Sequence, residues 1–300
     1  GIRTFMRLPH VVDLKDVDFC IAGVPFDTGG TFRVGARFGP AGIRENSLLL
    51  RPYNPAQDIE IFNYCSGIDF GDLPIVPGYL NESHKMIKDS AKKIFKSKST
   101  PIFIGGDHSI SLPLLRAAKE KFGPVALVHF DAHSDLWHGY FDKKDTHGTP
   151  FRRAIEENLI DPSLSCQIGL RGPLYDKKDY TMSKDAGLMA ITGPELHHIG
   201  IKKALELVRE RVGSGPAYLT FDIDFIDPAY APGTGTPEAG GFTGYDSILF
   251  IRGLKHIDFI GFDLVEVMPG YDPTQMTSLL AANIIYEFIS LIAIQKKTCL

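Results

Sequence analysis

Three short strings in this 300-residue chain concentrate carboxylates and imidazoles: Gly105-Gly106-Asp107-His108-Ser109, Asp131-Ala132-His133-Ser134-Asp135 and Asp222-Ile223-Asp224-Phe225-Ile226-Asp227-Pro228. Taken singly, such an Asp reads as a turn or helix-capping residue, and a lone His as a hydrogen-bonded structural one. Taken together, His108, Asp131, His133, Asp135, Asp222 and Asp224 would repel and desolvate one another unless cations neutralised them. In Asp131-Ala132-His133 and Asp222-Ile223-Asp224, side chains two apart share one face of an extended chain. Carboxylates with two imidazoles and no thiolate suit Mn²⁺ or a similar first-row divalent ion rather than structural zinc. There are too many donors for one ion, so two metals with bridging carboxylates are expected, able to activate water against an electrophilic carbon.

These residues need elements to position them, and each string directly follows an apolar run. Strands are expected over 19–24, 101–104, 125–130, 166–170, 187–191, 217–223 and 259–267, because the runs are β-branched or aromatic with Gly or Pro borders. Helices are expected over 81–96, 112–121, 151–158 and 201–212, the last with Ile201, Leu205, Val208 and Val212 on one face. Near-continuous apolar strands separated by helices indicate a mostly parallel sheet covered on both faces, in one α/β domain spanning 1–300. Ligands of such sheets gather beyond the carboxyl ends of the strands, where the three strings fall. The apolar stretch 276–294 is long enough to cross a bilayer. It contains Asn283 and Glu287, however, and is expected to be a buried or subunit-interface helix, with no membrane partner.

Composition narrows the function classes further. With 36 acidic against 32 basic residues the net charge is −4, which argues against nucleic acid as the main partner. The four cysteines (Cys20, Cys65, Cys166, Cys299) lie far apart, which excludes a zinc ribbon or dense disulfide framework and suits a reducing cytoplasm. Gly1 rather than methionine opens the chain and no charged-then-apolar leader follows, so the natural start is expected to be missing. Thr28-Gly29-Gly30 and the glycine-rich 233–241 fit neither GxGxxG nor a P-loop, and are expected to form pocket walls. His197 and His198, ahead of the helix expected over 201–212, read as structural.

The strings GGDHS, DAHSD and FDIDFIDP, in this order, resemble the ureohydrolase family of arginase, agmatinase and related amidinohydrolases. TFRVGARFGPAGIR, HGTPFRRA, PGTGTPEAGGF and DLVEV look like the agmatinase branch, so the resemblance covers nearly the whole chain. Val34-Gly35 departs from the branch's more usual Pro-Gly. The resemblance implies a three-layer α/β/α, arginase-like domain with two Mn²⁺ per subunit, other divalent ions such as Ni²⁺ being possible. One ion would be held by His108, Asp131, Asp135 and Asp222, the other by Asp131, His133, Asp222 and Asp224. His147 would shuttle protons and Glu266 would grip the guanidinium, both binding substrate, with Asp135 counted beside them as catalytic. It also implies a small guanidino substrate, release of urea and a primary amine, and a homo-oligomer, trimer or hexamer.

The far end of the substrate is less determined. Trp137 and Tyr140 in the loop 136–146, with 171–175 and 236–241, are expected to line it. Asp142, Lys143, Lys144 and Asp145 offer both signs of charge. Agmatine is ranked first, with a guanidino acid such as 4-guanidinobutyrate or 3-guanidinopropionate as the alternative. A single-zinc deacetylase-like hydrolase and a non-catalytic metal-binding scaffold are the readings from other classes.

Overall fold

Buried runs of branched and aromatic residues build the centre of the molecule, and the computed structural model describes residues 1–298. Cys299 lies outside the described residues. The strands are β1 (Phe19–Gly23), β2 (Tyr53–Asn54), β3 (Ile59–Glu60), β4 (Gly67–Asp72), β5 (Thr100–Ile104), β6 (Ala126–Phe130), β7 (Cys166–Leu170), β8 (Met189–Thr192), β9 (Pro216–Asp222) and β10 (Asp258–Val265). β2 and β3 form a small antiparallel pair, and the other eight make one sheet in the order β4-β1-β5-β10-β9-β6-β7-β8. Every pairing in that sheet is parallel. All its strands therefore end on the same side, and the tips of β5, β10, β9 and β6 are consecutive neighbours.

The helices are α1 (Gly39–Asn46), α2 (Leu80–Lys96), α3 (Ser111–Phe122), α4 (Pro150–Glu156), α5 (Lys177–Asp185), α6 (Gly193–Val212), α7 (Gly244–Gly253) and α8 (Met276–Thr298). Side chains alternate across a strand, so the sheet feeds two cores. Ile102, Val128, Leu219 and Phe262 pack with residues of α6, α7 and α8 on one face. Phe103, Leu127 and Tyr218 pack with residues of α2, α3 and α4 on the other.

Several expectations shift. The strand expected over 259–267 stops at Val265, because Glu266 turns into the left-handed region at φ 65°. The helix expected at 201 begins at Gly193 and is interrupted at Gly200 (φ 74°), so His197 and His198 lie inside α6 rather than before it. β4 went unanticipated, its Gly67-Ile68-Asp69-Phe70-Gly71-Asp72 being too polar to read as a strand. Arg44 compensates the buried Asp69 with two hydrogen bonds of 2.8 and 3.0 Å. Helix α8 is long and apolar enough to cross a membrane. Here it lies against the sheet and most of its residues are buried, with Glu287 taking hydrogen bonds from Asn54 (3.1 Å) and Arg252 (2.7 Å).

Candidate active site

The cleft is made where apolar strands end and polar residues begin. After β5 the chain turns at Gly106, where a side chain would drive a Cβ to 1.6 Å from the Phe26 carbonyl oxygen; glycine is required there. Asp107 caps the short helical turn that follows and His108 opens it. Asp131, His133 and Asp135 follow β6, Asp222 ends β9, Asp224 sits in the next turn, and Glu266 follows β10. The six expected metal ligands thus arrive from the tips of β5, β6 and β9, with β10 and its Glu266 between β5 and β9.

Their geometry is tight. The His108 Nδ1 atom lies 3.1 Å from Asp131 Oδ2, 3.0 Å from Asp135 Oδ2 and 3.1 Å from Asp222 Oδ2. It is buried and makes no hydrogen bond among the described residues. On the other side, His133 Nδ1 lies 3.0 Å from Asp224 Oδ2 and 3.4 Å from Asp131 Oδ1. Asp131 therefore shows one oxygen to each imidazole. Backbone N–H groups hold the carboxylates: His133 donates to Asp131 (2.5 Å), Asp224 to Asp222 (2.8 Å) and Ala132 to Asp224 (3.0 Å). Burial, and then repulsion from Asp224 and Asp131, pushes Asp222 well above the ordinary carboxylate range. Asp224 is raised too, by burial and by Asp131. Asp131 goes the other way: despite its burial, its imidazole neighbours hold it well below that range. Two buried carboxylates that resist ionisation beside one that does not, with an orphaned imidazole nitrogen among them, fit divalent cations in chemistry and in shape.

His147 and Glu266 complete the pocket. Glu266 Oε1 accepts from the His108 backbone N–H and pairs with His147 Nδ1, each at 2.9 Å. Its Oε2 is buried and has no partner among the described residues. Gly235 faces that oxygen, since a Cβ there would stand 3.4 Å from it and 2.7 Å from Met268 Cε. The His147 Nε2 atom meets the Thr31 backbone N–H at 3.2 Å and the Thr31 hydroxyl at 2.7 Å. One residue offers that nitrogen both a donor and an acceptor, so it is hydrogen-bonded whether or not it carries a proton. Asp107 supports the arrangement by accepting from Gly29 N–H (2.6 Å), and the Gly29 carbonyl accepts from His147 N–H (2.9 Å). Thr31 and Asp107 carried no role in the sequence reading. Their partners lie 116 and 78 residues away, and no local pattern reports that.

The outer wall is aromatic. Trp137 packs against Tyr140 and Tyr175 with ring centroids 5.9 and 5.3 Å apart, and the Tyr140 and Tyr175 hydroxyls lie 3.4 Å from each other. Gly148, next to His147, borders Trp137 and Tyr140. Both expected lining residues therefore stand beside the Gly148 that follows His147. The Arg171 guanidinium is taken up by backbone: it donates to the carbonyls of Gly169, Phe225, Asp224 and Glu238, a strut between loops. His197 stacks on Phe242 at 4.4 Å, in keeping with a structural role.

The sequence pattern of the Arginase family matches residues 17–290. The chain is 47% identical to the guanidinobutyrase of Pseudomonas aeruginosa, over 96% of this chain and 92% of that one. It is 42% identical to the mitochondrial agmatinase of Gallus gallus, over 96% and 85% respectively. The solved structure of proclavaminate amidinohydrolase from Streptomyces clavuligerus superposes with a TM-score of 0.93 at 38% identity, covering 98% of each chain. The chain belongs to the arginase family and is an amidinohydrolase acting on a small guanidino compound.

Proposed function

We propose that this enzyme hydrolyses a carboxylate-tailed guanidino compound, 4-guanidinobutyrate first, to urea and a primary amine, using two divalent ions, Mn²⁺ in the first place. The observation that carries the chemistry is the buried, unpartnered Glu266 Oε2 beside the carboxylate–imidazole cluster. A planar cation is the partner such an oxygen lacks, and charge-matched pairing would hold its carbon in place for attack. His108, Asp131, Asp135 and Asp222 would hold one ion, and Asp131, His133, Asp222 and Asp224 the other. When bound, the ions supply Lewis acidity and a water that can attack at neutral pH.

The protein's own groups do the rest. Asp135, the most exposed of the four ligand carboxylates, would take the proton of the attacking water. As water adds and a C–N bond of the guanidinium breaks, the departing amine needs a proton. His147 supplies it, held between Glu266 and Thr31 in either protonation state.

The tail assignment reverses the order expected from sequence, for two reasons. The guanidinobutyrase is more similar than the agmatinase, 47% against 42%. The wall offers paired phenols, with Tyr140 donating to Tyr175 at 3.4 Å, which leaves the Tyr175 hydroxyl proton for a carboxylate. Agmatine is the second reading, on the strength of the 42% identical agmatinase. A urea-release screen with Mn²⁺ across 4-guanidinobutyrate, 3-guanidinopropionate, agmatine and arginine tests this. The highest kcat/KM is expected for 4-guanidinobutyrate; comparable turnover of arginine would overturn the assignment. We also assign the enzyme to a reducing, cytoplasmic setting, which suits buried Cys20, Cys65 and Cys166 as free thiols, and to a trimer or hexamer, for light scattering to check.

A further inference from the structure

One row below the cluster, four polar side chains cross the sheet in register. Asp263 on β10 pairs with Thr220 on β9, Thr220 with His129 on β6, and His129 with Gln167 on β7. All four are fully buried. Burial of so many polar groups is costly unless each is satisfied, and here each is. On one side the His108 Nε2 atom meets the Thr220 hydroxyl at 2.9 Å, and Thr220 donates to Asp263 at 2.5 Å. His108 is thereby held with its other nitrogen toward the carboxylates.

The other side concerns His129, which lies close enough to His108 and Asp131 to join them as a metal ligand. Hydrogen-bond direction argues otherwise. Gln167 Nε2 lies 2.6 Å from the Ser134 backbone carbonyl, which can only accept, so that end of Gln167 is the amide donor. The Ser183 hydroxyl, on α5, donates to Gln167 Oε1 at 2.5 Å, which agrees. The same Nε2 lies 2.9 Å from His129 Nδ1, which must therefore accept. The proton of a neutral imidazole is then on Nε2, 2.8 Å from Asp131 Oδ2. Phe151 packs on the ring at 4.3 Å and fixes its plane.

We infer that His129 is a positioning residue, not a ligand. Locked as a donor by Gln167, Ser134 and Ser183, it aims Asp131 so that Oδ2 faces His108 and Oδ1 faces His133, the two sides on which ions would be held. This rests on the binuclear reading above, and it ties the bridging carboxylate to helix α5 on the outside of the domain.

The test is Mn²⁺ binding, followed by equilibrium titration and by the exchange-coupled electron paramagnetic resonance signal of a manganese pair. Wild-type protein should bind two ions with a coupled signal; if it does not, the binuclear reading itself fails. His129→Phe keeps the ring and removes the donor, and is expected to weaken Mn²⁺ binding about 10–100-fold, the usual effect of losing a support behind a ligand. His129→Gln restores a side-chain N–H and should recover most of that affinity. Ser183→Ala, which leaves the imidazole in place, should weaken binding by a few-fold. Wild-type affinity in both His129→Phe and Ser183→Ala would overturn the inference. So would the outright loss of one ion in His129→Phe and His129→Gln alike, which would make His129 a ligand.

Discussion

The two ends of the cleft are built in opposite ways. At the inner end, the ligand cluster and Glu266 stand on the tips of four adjacent parallel strands, held by backbone N–H groups and by the buried polar row beneath. At the outer end, Trp137, Tyr140 and Tyr175 stand on loops and hold one another by ring contacts, with Tyr175 77% exposed. Reaction chemistry needs donors fixed to fractions of an ångström, and the sheet supplies that. Choice of a substrate tail needs a surface that can change without disturbing the sheet, and loops supply that. The difference also explains why family membership is plain while the tail is a separate question.

Perturbing the inner end should be drastic. Asp222→Asn removes a carboxylate shared by both expected ion sites, and kcat is expected to fall by more than roughly 10³-fold, beyond the loss of a single electrostatic contact. Steady-state urea release at saturating Mn²⁺ would read this. Glu266→Gln keeps the side chain's shape but removes its charge, and should lower kcat/KM about 10²–10³-fold with a melting temperature near wild type. A fall of only a few-fold in either variant would put the reacting carbon somewhere else.

The outer end should respond in KM. Tyr140→Phe deletes one phenol and little packing, and is expected to raise KM for 4-guanidinobutyrate by about fivefold, the scale of one hydrogen bond. Agmatine turnover should change less. Equal effects on both substrates would mean that the wall does not read the tail.

The smallest expected effect is a pH dependence of stability in metal-free protein. Burial pulls the His147 imidazole down, but Glu266, Asp135 and Asp107 outweigh it and raise it from 6.5 to about 9. A raised folded-state pKa stabilises fully below the unfolded value near 6.5 and is lost as pH rises through about 9. Chelated wild-type protein should therefore lose melting temperature between pH 7 and pH 9.5 by a few degrees more than His147→Asn does. Parallel curves would mean that His147 is not coupled to those carboxylates.

The sequence was most legible where an apolar run ends abruptly in charge. The runs before GGDHS, DAHSD and FDIDFIDP are strands, and the order of the sheet sets those three tips beside that of β10. It was least legible where a polar residue hides inside such a run. His129 in Ala126–Phe130, Gln167 in Cys166–Leu170 and Thr220 in Pro216–Asp222 each read as an isolated interruption, and only cross-strand register joins them. Glu266 was legible by resemblance alone, because nothing local announces a left-handed residue after Val265. Thr31 depends on a contact between distant loops and could not be foreseen from spacing.

The central claim is that the strand-tip cluster is a two-ion site, and metal content tests it most directly. Protein saturated with Mn²⁺ and freed of loose ions should carry two manganese per chain by elemental analysis, and Asp222→Asn should carry fewer. One ion per chain in the wild type, unchanged in Asp222→Asn, would contradict it.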